Sequence, residues 1–179
     1  MEYHIALTGK DTNPGTAEEP LRSIQAGAER AQPGDIVTVH KGVYRERVDP
    51  PRGGASEEQR IIFQAAPGET VAIKGSEVIT GWTHVHEQVW RITVPNAFFG
   101  AFNPFANQLS GDWFFPQGNT HHSGAVYLND EAISEAFSLD EIFGSKRKQW
   151  LTKPGPWEVE LWVNFGDANP NEELVEINT

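Results

Sequence analysis

Cysteine is absent from the 179-residue chain. No disulfide can brace it, and no thiolate can hold a metal. Long apolar runs are missing too, and none approaches the roughly 18 residues of a membrane span. Basic residues are scarce, 14 Lys and Arg against 25 Asp and Glu, for a net charge of −11. The one basic run, Lys146-Arg147-Lys148, reads as solvated loop. A nucleic-acid binder needs a basic stripe, and none is visible. Acidity also disfavours a polyanionic substrate unless cations intervene, whereas a neutral sugar is indifferent to it. The start, Met1-Glu2-Tyr3-His4-Ile5, has neither the basic head nor the apolar stretch of a signal peptide. With Met1 as the true start, the expected location is cytoplasmic. Phosphate-cradling glycine loops and nucleophile-elbow motifs are also missing.

What is present is enough for a core: 38% hydrophobic residues, including ten Phe, together with six Trp. The length fits one domain, or slightly more. Ile36–His40 and Val43–Val48 are β-prone runs joined by Lys41-Gly42. A second pair follows at Arg60–Ala65 and Thr70–Lys74, joined by Pro67-Gly68. Short strands recurring at about 25 residues between glycines predict the coils of a β-solenoid. Tyr3–Leu7 reads as a strand ahead of them. Leu21, Ile24, Ala28 and Ala31 share one face of a predicted helix over Pro20–Ala31, stopped by Pro33-Gly34. Such a helix would cap the end of the coils. Val37 with Val39, and Val71 with Ile73, would line the coil interior.

The grammar changes after Gly75. Trp82, Trp90 and the run Phe98–Phe105 arrive at irregular spacing, the phenylalanines most simply as packing between this region and the helix. Ala125–Leu128, Asn129-Asp130 and Glu131–Ser134 read as a hairpin. Trp157–Phe165 and Leu174–Ile177 read as strands. The expected organisation is coils and capping helix over 1–75, an inserted antiparallel, sandwich-like β unit over 76–170, and a return to the coils over 171–179. The fold class is all-β, the start of a right-handed parallel β-helix. About three coils are needed for stability, and this chain offers roughly two. A C-terminal portion, a partner chain or the inserted unit must cover the far end.

Among candidate functional residues Trp113 leads. A pyranose has an apolar C–H face that an indole can stack on, while the indole N–H offers a hydrogen bond to the polar rim. Asp112 lies beside it in a glycine-flanked, aromatic loop. His121 and His122 point to opposite faces if extended, a poor metal pair, but His122 could hydrogen-bond a hydroxyl. His84 and His86 share a face without a third ligand. Asp11 and Asn13 could ligate a hard cation, or simply shape a turn. Glu158 with Glu160, and Glu176 with Asn178, read as wet faces of strands rather than as a catalytic pair. No metal or cofactor site is expected within this chain.

Several motifs carry a resemblance. The first 75 residues, with Asp11-Thr12-Asn13-Pro14-Gly15-Thr16 and Pro33-Gly34-Asp35-Ile36-Val37, resemble the start of pectate-lyase-like β-helix proteins. Lys74-Gly75-Ser76-Glu77, Phe98–Pro104, Gly111-Asp112-Trp113, Val126–Asn129 and Asn169–Asn178 together resemble glycoside hydrolase family 120, the β-xylosidases. The resemblance implies a retaining hydrolase of xylo-oligosaccharides, with a role in xylan degradation. It implies a bound calcium in the full-length protein. It puts the nucleophile and acid/base on later coils, so no residue here inherits a catalytic role; Trp113, Asp112 and His122 would line the sugar pocket. Around Lys153–Leu161 the family pattern has extra residues, including a hairpin turn, as if this chain carried a deletion. Three other readings remain open: a carbohydrate-binding module, a structural cap or homo-oligomer surface, and a polysaccharide lyase fragment. The lyase would need a basic groove that this composition disfavours.

Overall fold

The computed structural model describes Met1–Thr179. The chain forms two compact units, Met1–Gly75 and Ser76–Thr179. No helix is long and apolar enough to cross a membrane.

The first unit contains β1 (Glu2–Ile5), α1 (Ile24–Arg30), β2 (Ile36–Val39), β3 (Gly42–Arg45), β4 (Ile62–Ala65) and β5 (Val71–Lys74). Two parallel ladders result. One runs β1-β2-β4, aligning Ile5, Val39 and Ala65; the other pairs β3 with β5, aligning Tyr44 with Ile73. The strand runs read from the sequence are thus adjacent, parallel and in register. Ile5, Leu21, Ile24, Val37 and Tyr44 form the core. Tyr44 is buried, and its hydroxyl donates to the His40 carbonyl at 2.8 Å. Val71 is half-buried, but Ile73 is exposed because β5 is the last strand of its ladder.

The helix is shorter than predicted. Leu21 is drawn into a parallel bridge with Ile5 and its amide donates to the His4 carbonyl at 2.9 Å, so 20–22 stay outside the helix. Ser23 becomes the N-cap. The free amides leading into and opening the helix are met by two carboxylates. Asp11 accepts from Arg22 and Ser23 N–H at 2.9 and 2.8 Å; Glu46 accepts from Ile24 and Gln25 N–H at 2.9 Å each. Partial burial pushes the Asp11 carboxyl up, but the bonds from Ser23 and Arg22 outweigh it and hold the group below its ordinary range. The Asn13 amide donates to the Pro20 carbonyl. Asp11 and Asn13 therefore fix the loop against the helix, which is the turn-shaping reading of the pair.

The second unit is one eight-stranded sheet, with order β6 (Ser76–Val78), β13 (Val175–Asn178), β9 (Val126–Leu128), β10 (Glu131–Glu135), β11 (Gln149–Pro154), β12 (Glu158–Asn164), β8 (Val89–Pro95), β7 (Thr83–His86). Neighbours are antiparallel except β10 and β11. A short helix α2 (Leu139–Gly144) links those two. Asn129 and Asp130 turn the β9–β10 hairpin with φ of 51° and 68°, the double left-handed geometry such a two-residue loop requires. Along β12 Val159, Leu161 and Val163 are buried on one face; on the other Glu158 is exposed, Glu160 is half-buried, and Trp162 packs against Val89, Ala136 and Ile142. Those three valine and leucine side chains pack with Trp82, Phe105 and Trp150. Of the phenylalanine run, Phe99 and Phe105 enter this core, while Phe98 and Phe102 remain exposed.

Two expectations differ from what is found. Residues 171–179 were expected to rejoin the coils; instead β13 lies between β6 and β9, antiparallel to both, inside the eight-stranded sheet. Glu176 consequently is only 1% exposed, not on a wet face, and the Ser76 hydroxyl donates to it at 3.3 Å. Around 153–161 the chain does form a hairpin. Pro154 opposes Val159, and the Gly155 amide closes the turn on the Glu158 carbonyl at 2.8 Å.

Candidate functional site

Four tryptophans are core or half-buried, and two are not: Trp113 is 75% exposed and Trp157 83%. Trp157 stands on the turn between β11 and β12. Trp113 stands on a long loop between the Asn96–Phe99 turn of 3-10 helix and β9. The base of that loop is clamped. Gln108 bridges His122, the Leu109 amide donates to the His121 carbonyl, and the Ser123 amide donates to the Asn107 carbonyl. Asn178 on β13 holds the other side, donating to the Ser123 carbonyl at 3.0 Å and accepting from the Ala125 amide at 2.6 Å.

At the tip, Gly111 has φ of +142°, and the Phe114 amide returns to the Gly111 carbonyl at 3.2 Å. The Trp113 indole folds over Gly111, so closely that a Cβ there would sit 2.6 Å from Nε1. Ring contacts lead inward from this point. Trp113 meets Phe114 at 5.6 Å, Phe114 meets His121 edge-on at 5.3 Å, and His121 meets Phe137 at 4.7 Å. Phe137 and His122 line a cleft of 330 Å³ with Asn119, Thr120 and Glu135. Phe137 is itself fixed, its amide donating to Glu141 of α2 at 2.9 Å.

Glu135 organises the cleft. It sits at the end of β10, two residues past buried Ile133, and so on the inward face. Its Oε2 accepts the His122 backbone N–H at 3.0 Å, and its Oε1 lies 2.6 Å from His122 Nδ1. His121 Nδ1 is 4.0 Å from the same carboxylate. The two histidines thus converge on one carboxylate, where an extended strand would have splayed them. Asp112 is exposed on the loop tip, and no contact ties it to the cleft. Sequence reasoning named Trp113 and His122 but missed Glu135 and Phe137. The signal for Glu135 was available: an acidic residue in phase with Ile133.

Other candidates are accounted for structurally. Glu160 pairs with Arg91 at 3.3 Å and accepts from the Trp162 indole at 3.1 Å. His84 packs edge-on to Trp90 and bonds the Glu87 carbonyl.

The exposed indole, the ring chain and the histidine cleft all lie within one stretch that has a known counterpart. Residues 79–154 match the glycoside hydrolase 120 insertion domain. Across 99% of its length the chain is similar to XylC, solved in complex with xylose, with 38% identity and a TM-score of 0.94. It spans 31% of the XylC chain. An uncharacterized protein of Bacillus subtilis (strain 168), YwoF, is 32% identical over 75 residues, covering 42% of this chain and 16% of that protein. A solved glycoside hydrolase shares the fold at 13% identity and a TM-score of 0.52, over 99% of this chain and 39% of its own. The matched stretch contains Asp112, Trp113, His122 and Glu135.

Proposed function

We propose that this chain is part of a family 120 β-xylosidase and forms one wall of its sugar site. The observation that carries the reading is the end-to-end similarity to XylC, a protein solved with xylose bound. In this reading Trp113 stacks on the apolar face of the pyranose, and His122 meets a hydroxyl at its rim. Asp112, on the same loop, faces solvent where a sugar would approach. Retaining hydrolysis requires two carboxyl groups about 5–5.5 Å apart across the scissile bond. Glu135 is engaged with His122, and Glu160 with Arg91 and Trp162. The nucleophile and the acid are therefore assigned to segments outside these 179 residues.

The same reading gives the first unit its role as the beginning of a right-handed parallel β-helix. Its two parallel ladders end at β4 and β5, each with one unpaired edge. Beside them an apolar hollow of 590 Å³ is lined by Ile24, Val39, Val48, Phe63, Val71 and Ile73. A following coil would pair those edges and fill the hollow. Calcium, if the whole enzyme binds it, would be held elsewhere, since Asp11 is already occupied by three donors from Arg22 and Ser23.

An aryl β-xyloside assay tests the assignment. The 179-residue chain alone is expected to be inactive, and a protein continuing through the later coils to be active. Turnover by the short chain at the rate of the long one would put the catalytic carboxylates back within it.

A further inference from the structure

His122 is held in an unusual way: its ring and its own backbone amide both engage one carboxylate, Glu135. We propose that Glu135 is a positioning residue that locks His122 in the Nδ1–H tautomer, making Nε2 a hydrogen-bond acceptor for a sugar hydroxyl. The inference rests on the sugar-site reading above and adds to it a selectivity for hydroxyl donors.

The argument begins with donor and acceptor inventory. A carboxylate can only accept. With Oε2 taking the His122 amide at 3.0 Å, Oε1 at 2.6 Å from Nδ1 requires that Nδ1 carry the proton. The neutral ring then has its lone pair on Nε2, the reverse of the tautomer that free histidine favours in water. Neither partner can swing away cheaply. The side chains are only 11% and 10% exposed, and the segment around His122 is clamped by Asn107 and Gln108 on one side and Asn178 on the other. Nε2 is left as the remaining polar ring atom of His122, a residue that lines the cleft together with Asn119 and Thr120. A fixed acceptor suits a neutral sugar, every hydroxyl of which can donate. It repels an acceptor-only group such as a uronate carboxylate, which a negatively charged Glu135 behind the ring disfavours further. The arrangement follows a familiar logic for oriented imidazoles, in which the second nitrogen's chemistry is set by what the first one bonds.

Long-range proton–nitrogen NMR on the whole chain, at a pH where histidines are neutral, reads the tautomer directly. The expected spectrum has the His122 proton on Nδ1. Adding xylose should shift His122 Nε2 and the Trp113 indole together, while glucuronate, the same pyranose frame with a carboxylate on C5, should leave both unmoved. In Glu135→Gln the tautomer should become mixed, and affinity for xylose should fall roughly tenfold, the size of one lost hydrogen bond. The wild-type spectrum needs no variant to fold, and a proton on Nε2, or on both nitrogens, overturns the proposal whatever the sugar does. A proton on Nδ1 with no xylose response at His122 or Trp113 sinks the sugar-site reading instead, and the recognition role with it.

Discussion

A side chain at position 111 would collide with the Trp113 indole, and the backbone there is left-handed. Gly111→Ala should therefore displace the indole without touching the core. Thermal stability is expected to fall by about 1–3 kcal/mol, the cost of a non-glycine residue in that backbone region, without loss of the fold. Sugar-induced Trp fluorescence should nevertheless fall to the level of Trp113→Ala; a full response in Gly111→Ala would show that the folded-over indole is not the binding conformer. At this scale residue type was informative. An exposed, glycine-flanked Trp could be picked out because its chemistry suits a pyranose. Glu135 was legible only as an acidic residue in phase with Ile133; its role was not, because that depends on a distant loop folding His122 onto it.

Among the elements, α2 holds the cleft's Phe137 through Glu141. That carboxylate accepts from the Phe137 amide and from Gln149 at 2.6 Å, and these bonds lower its pKa from the ordinary glutamate value. A lowered folded value means stability that is complete above the unfolded pKa and lost as pH falls through the folded one. Acid unfolding should therefore show a component below the ordinary glutamate range that Glu141→Gln removes. Proton-binding slopes from urea melts across pH would check it, and identical slopes in the two proteins would contradict it. The helix boundaries teach a related lesson. The periodicity of Leu21, Ile24, Ala28 and Ala31 identified a buried face correctly, yet Leu21 reaches the core from an extended segment. Burial periodicity cannot distinguish a helix's first turn from a strand that bridges Ile5. The Asn129-Asp130 hairpin was legible because its turn chemistry is local, whereas the β11–β12 turn at Gly155–Trp157 depended on pairing between distant register partners.

At the level of the whole molecule, each unit has its own core, and the two make different demands. Phe105 in the second unit is fully buried against Phe99 and Trp150. Phe105→Ala is expected to cost about 3–5 kcal/mol, read from the urea midpoint. A loss below about 1 kcal/mol would mean that the core is not packed as described. The first unit instead leaves Ile62, Phe63 and Ile73 exposed along strands with an open edge. The parallel repeat was legible from spacing alone; the antiparallel capture of Val175–Asn178 was not, because a four-residue apolar strand fits either a coil or a sheet. The functional account rests on the exposed indole of Trp113. Its most direct test is Trp fluorescence titrated with xylobiose. The wild type and Trp157→Ala, which alters the other exposed indole, should respond alike, and Trp113→Ala should not respond. An undiminished response in Trp113→Ala would contradict the account.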